Sequence, residues 1–173
     1  MTAAAPILSG DVAIGDTLPE LAVEVTPTTV VLGALASRDW RPMHHDYKFA
    51  TERNGVQDIF LNTPNQAAWF ERYVTDWAGP RARLGRMKFR MKTSVFPGDR
   101  MVFGATVTDT SVDDAGCAWV SLDVTLTVTS PDAPSEGATA IADRIASTCE
   151  VRVAIPTAAD DNPWSRRGDR WVP

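Results

Sequence analysis

The sequence predicts an α+β domain in which an antiparallel sheet wraps one long central helix. Two observations predict it. Met87, Phe89 and Met91 alternate with Arg86, Lys88, Arg90 and Lys92, the period of two of a strand with one wet face. Before that strand, Ala67, Ala68, Phe70, Val74 and Trp77 follow a Thr63-Pro64 start at roughly helical spacing, and Ala78-Gly79-Pro80 stops them.

The elements follow in order. Asp16 to Val25 reads as a strand after the turn signal Gly15-Asp16. Thr26 is an N-cap and Pro27 suits the first position of a helix whose buried stripe would be Val30, Val31, Ala34 and Leu35. Ser37 to Pro42 breaks that helix, and a helical turn over Tyr47 to Arg53 ends at Asn54-Gly55. The central helix comes next, rather apolar and suited to the middle of a domain. Beyond it Phe96-Pro97-Gly98-Asp99 is a turn, and Met101 to Thr108, Ala118 to Thr129 and Ile145 to Ile155 are Val- and Thr-rich strands. Asp113 to Gly116 is a hairpin turn and Pro131 to Gly137 a polar loop. The domain spans 12–156, after an N-terminal segment 1–11 and before a polar tail 157–173. Trp164 and Trp171 leave disorder and docking both open for that tail.

The 173 residues suit one domain with a sizeable core. A net charge of −5 argues against nucleic acid as partner. Met1 to Gly10 lacks the basic start and apolar core of a signal peptide, and no run is long enough for a membrane span. Cys117 and Cys149 lack metal-ligand company and read as reduced, buried thiols of a cytoplasmic protein.

The chain has only two histidines, and they stand together in Arg38-Asp39-Trp40-Arg41-Pro42-Met43-His44-His45. An acid and an imidazole five residues apart across a Pro-stiffened turn can converge on one water molecule. The plain alternative is a structural Asp beside a surface His. A metal site on His44, His45 and Asp46 fits no familiar ligand spacing.

The run from Arg38 to His44, followed after five residues by the small Ala50, resembles the motif of MaoC-like (R)-specific enoyl-CoA hydratases. That pattern is roughly Gly-Asp-x-Asn-Pro-aliphatic-His-x5-small. Arg38 replaces the Gly and Arg41 the Asn. Asp58-Ile59-Phe60-Leu61-Asn62 falls where the family's Pro-Ile-x-His-Gly segment opens the central helix, eighteen residues after His44 at Asn62. Phe96-Pro97-Gly98-Asp99 is similar to the family's turn between strands. Ile59 to Pro64 and Val74 to Pro80 also look like an actinobacterial subgroup associated with acyl-CoA and steroid side-chain breakdown.

The resemblance implies a single hot-dog domain that adds water to, or removes it from, a trans-2-enoyl thioester. Asp39 and His44 would handle the water and its protons. The thioester oxygen would meet the Asn62 backbone N–H at the start of the central helix, where free N–H groups and the helix dipole favour negative charge; an ordinary helix-start residue is the alternative. Trp40 and Trp69 could line an acyl pocket, or be core. Arg86, Lys88, Arg90 and Lys92 could meet coenzyme A phosphates, or form a solvated face. No cofactor or metal is implied. The partners implied are an acyl-CoA or acyl-carrier-protein thioester and a second hot-dog subunit, identical or related. Two other functions remain. A thioesterase would need an acid on the central helix, where Glu71 is the only one between Pro64 and Thr75. A non-catalytic acyl-CoA-binding subunit is kept open by Arg38 and Arg41.

Overall fold

The structure is a computed structural model, described for residues 7–130 and 143–173. The Pro131–Gly137 loop expected from the sequence lies outside those residues. Five strands, β1 (Leu21–Glu24), β2 (Arg83–Met91), β3 (Arg100–Val112), β4 (Ala118–Thr129) and β5 (Arg144–Ile155), form one antiparallel sheet in the order β1-β3-β4-β5-β2. Helix α1 (Pro27–Ala36) and the sixteen-residue α2 (Thr63–Ala78) precede β2. A 3-10 turn (Pro42–His44) and a π-helical turn (Phe49–Arg53) link them.

Strands β3 and β4 bury alternate residues along most of their length. Met101, Phe103, Ala105 and Val107 of β3 face inward with Val120, Leu122, Val124, Leu126 and Val128 of β4. Phe70 of α2 meets Phe103 edge-to-face at 5.3 Å and Phe89 of β2 at 5.9 Å. Such packing is the main source of stability here. The turn before β3 is held by Asp99, which accepts the Phe96 N–H at 2.9 Å and pairs with Arg144 at 2.7 Å. Gly98, at φ 90°, supplies the left-handed corner after Pro97.

Three expectations are corrected. The first strand is shorter than Asp16–Val25; only Thr17 bridges to β3 before Leu21. The buried face of α2 is Asn65, Gln66, Phe70, Tyr73, Val74 and Ala78, with Ala68 exposed and Ala67 and Trp77 half-buried. Two amides take inward positions because each finds a partner. Asn65 Nδ2 donates to the Thr29 carbonyl at 3.1 Å and Gln66 Oε1 accepts from Ser147 Oγ at 2.6 Å. Helix α1 starts as expected, with Thr26 capping the Thr29 N–H, but buries only Val30 and Ala34 fully. Leu35 points outward because α1 lies on α2 through its Gly33 side. A Cβ on Gly33 would stand 1.8 Å from Asn65 Nδ2.

The tail docks on the body. Trp171 packs at a tilt against Trp119, ring centres 4.8 Å apart, and lies under the Arg83 guanidinium, 3.6 Å from its ring centre. Arg166 is buried, donating to Asp161 at 2.9 Å and to the Gly116 carbonyl at 2.9 Å. Cys117, Trp119 and Ala154 form a small second core beneath Trp171.

Candidate active site

The site is built where α1 ends and α2 begins. Ser37 caps α1 by donating its hydroxyl to the Gly33 carbonyl at 2.7 Å. Arg38 then takes φ 55°, the left-handed region, and is the one non-glycine residue to do so among the described residues. A side chain there costs about 1 kcal/mol relative to glycine, and this is where the resembling motif carries Gly. The reversal turns the chain back so that Asp39 N–H donates to the Ala34 carbonyl at 2.9 Å. Pro42 opens the 3-10 turn that presents His44.

Asp39 and His44 come together, with Oδ2 and Nε2 3.6 Å apart and side chains 19% and 5% exposed. His44 Nδ1 lies 2.7 Å from the Phe60 carbonyl. A carbonyl only accepts, so Nδ1 carries the proton and Nε2 of the neutral ring keeps its lone pair. The ring is also fixed edge-on against Phe60 at 4.8 Å. Two acceptors at 3.6 Å are too far apart, and of the wrong kind, to bond directly. They suit one water donating to both.

Asn62 is the N-cap of α2 and is 1% exposed. Its backbone N–H makes no hydrogen bond among the described residues. Its side chain does something the sequence did not signal: Nδ2 donates to Asp39 Oδ2 at 3.0 Å and to Ser37 Oγ at 2.8 Å. The Arg41 N–H reaches Asp39 Oδ1 at 3.3 Å. The Asn62 hydrogen bond, more than the Arg41 N–H or the neighbouring His44 and Arg41 side chains, holds the Asp39 carboxyl below the usual carboxylate range against the opposing effect of burial. The contact spans twenty-three residues of sequence, and no local pattern announces it.

The other expected site residues are not gathered here. Trp40 is 66% exposed beside Asp39. Trp69 is half-buried with Arg72 over its ring. Arg86, Lys88 and Arg90 stand exposed on the sheet face turned away from α2, and Lys88 lies 3.8 Å from Glu150. Lys88 and Arg90, together with Lys92, Asp123, Thr125 and Thr148, border an open groove of about 560 Å³ that neither Asp39 nor His44 lines. Glu71, the acid a thioesterase would use, is on the exposed side of α2.

Residues 11–130 match the MaoC like domain family. The chain belongs to the MaoC-like family. Over 95 residues it is 39% identical to the 3-oxo-4,17-pregnadiene-20-carboxyl-CoA hydratase beta subunit of Mycobacterium tuberculosis, spanning 55% of this chain and 73% of that protein. It also resembles a chain of the ChsH1-ChsH2 complex from Mycobacterium tuberculosis, at 29% identity and TM-score 0.67 over 83% of this chain and 98% of the other. The R-hydratase PhaJ1 from Pseudomonas aeruginosa is 16% identical with TM-score 0.67, each chain 88% covered, a likeness of fold. The MaoC-like domain here is a single hot-dog domain, and no helix among the described residues is long and apolar enough to cross a membrane.

Proposed function

We propose that this chain is the catalytic subunit of an enoyl-CoA hydratase, with Asp39 and His44 as its acid–base pair. The 3.6 Å gap between Asp39 Oδ2 and His44 Nε2, with His44 Nδ1 committed to Phe60, carries the reading. Water held by both acceptors loses a proton as it attacks C3 of a trans-2-enoyl thioester. C2 gains a proton, and enolate charge builds on the thioester oxygen. That oxygen is met by the Asn62 N–H at the start of α2, where the helix end favours negative charge. The same groups run dehydration in reverse.

The named relative supports a bulky steroid-tailed acyl-CoA and a second, related hot-dog subunit. Exposed Leu35, Trp40 and Tyr47 around the catalytic loop, and Met91 beside Thr63 at the start of α2, fit coverage by such a subunit. So does β2, which among the described residues pairs only with β5 and leaves its other edge open. Trp40 then belongs to the acyl pocket formed between subunits.

The test is loss of the enoyl chromophore with short, long and steroid-tailed enoyl-CoAs, with and without a candidate partner subunit. Asp39→Asn and His44→Ala each lower turnover at least about a hundredfold, and the double variant is little worse than the worse single one, because groups acting as a unit are not additive. Near-normal turnover in either folded variant removes the assignment.

A further inference from the structure

We propose that the Asn62 side chain is a positioning residue that fixes the orientation and charge of Asp39. The proposal rests on the hydratase reading of Asp39. The hydrogen bonds leave the amide one orientation. Ser37 Oγ donates to the Gly33 carbonyl, so it accepts from Asn62. The Asn65 N–H donates to Asn62 Oδ1 at 3.1 Å, which caps α2. Both hydrogens on Nδ2 are therefore committed, one to Ser37 and one to Asp39 Oδ2.

A single buried side chain thus ties three things together: the last turn of α1, the first turn of α2 and the catalytic carboxylate. The oxygen it holds is the one that faces His44 Nε2. The charged or titratable groups facing Asp39 are Arg41 and His44, both from its own loop. The last turn of α1 and the first turn of α2 carry none. Among the described residues the amide is thus the one group outside the loop that selects the ionised carboxylate, and it does so without adding a charge. The resembling motif has Gly at this position and Asn in place of Arg41.

The experiment compares Asn62→Ser and Asn62→Asp with the wild-type full chain, together with its partner subunit where one is needed for activity. Serine and aspartate both cap helices, so α2 keeps its start. Serine is too short to reach Asp39, and aspartate has no donor and adds a like charge. The Asp39 carboxyl is titrated by carbon NMR without substrate, and the pH profile of turnover is recorded alongside. Asn62→Ser should raise the Asp39 pKa and the acid limb of turnover by about one unit, and Asn62→Asp should raise the limb further, as a coupled pair. Plateau turnover should fall about tenfold with KM within about twofold, because orientation is lost and not binding. Asn65→Ser, which loosens the same helix turn without touching Asp39, should leave the limb in place. The proposal is overturned if Asn62→Ser leaves the titration unmoved, or if Asn65→Ser moves it equally. If the titration moves but the wild type hydrates no enoyl thioester, the positioning stands and the hydratase reading falls.

Discussion

The first turn of α2 and the turns that follow it are built from opposite materials. The first turn buries amides: Asn62, Asn65 and Gln66, each tied to a different part of the chain, namely the loop carrying Asp39 and His44, α1 and β5. The later turns bury Phe70, Tyr73, Val74 and Ala78 against the sheet. Apolar packing is strong but tolerant of small shifts, whereas a paired amide is modest in net energy and strict in geometry. The helix is thus stabilised along most of its length and aimed from one end, the end at which Asp39 and His44 meet.

The sharpest way to break this contrast is Phe70→Ala. Phe70 is fully buried among Phe89 and Phe103, so its loss should cost about 3–5 kcal/mol in urea unfolding. The acid limb of turnover in the surviving folded fraction should not move. A shifted limb would mean that the apolar turns aim the site as well.

Gly33→Ala tests the other end. The added Cβ meets the Asn65 amide, so that amide must leave the Thr29 carbonyl or α1 must move off α2, at about 1–3 kcal/mol. Here stability and turnover should fall together, since the same displacement loosens Ser37 and Asp39. Loss of stability with normal turnover would uncouple the two helices from the site.

Tyr73 shows that the apolar turns are not held to the same standard. Its hydroxyl approaches the Ala105 backbone without hydrogen-bond geometry, and burial pushes its pKa up to about 12. Tyr73→Phe should therefore be neutral or stabilising by less than about 1 kcal/mol. A clear destabilisation would reveal a partner for that hydroxyl.

The smallest effect is expected on the outer sheet face. Charge reversal at Arg86 and Arg90 should leave KM for enoyl-CoA within about twofold, since exposed charges are well screened. A rise with enoyl-CoA but not with a thioester lacking the nucleotide would bring the phosphate arm to this strand.

The same contrast explains what the sequence disclosed. Val and Thr richness located the later strands: Ala118–Thr129 is β4, β3 and β5 begin one residue before Met101 and Ile145, and β3 runs on to Val112, four residues past Thr108. Capping chemistry located both helix starts. The inward face of α2 was misread at its first turn, because Asn65 and Gln66 look like solvent-facing residues until Thr29 and Ser147 are placed beside them. Asp39 and His44 were legible as a pair, being five residues apart on one turn. The amide that holds Asp39 was not, because its link is made by folding. An Asn at a helix start reads only as a cap, and here it is a cap as well.

The small second core beneath the tail has a practical consequence. Cys117 sits in it, and Cys149 sits in the main core. Burial raises both thiols, Cys149 up to about 12, so neither offers much thiolate at neutral pH. Alkylation then becomes a stopwatch with two hands. Cys117 should be modified when the tail peels away from Trp119. Cys149 should wait until the sheet itself opens. Followed by intact mass and peptide mapping, the two rates separate fraying of the C-terminus from unfolding of the catalytic domain, in one tube and without a single mutation.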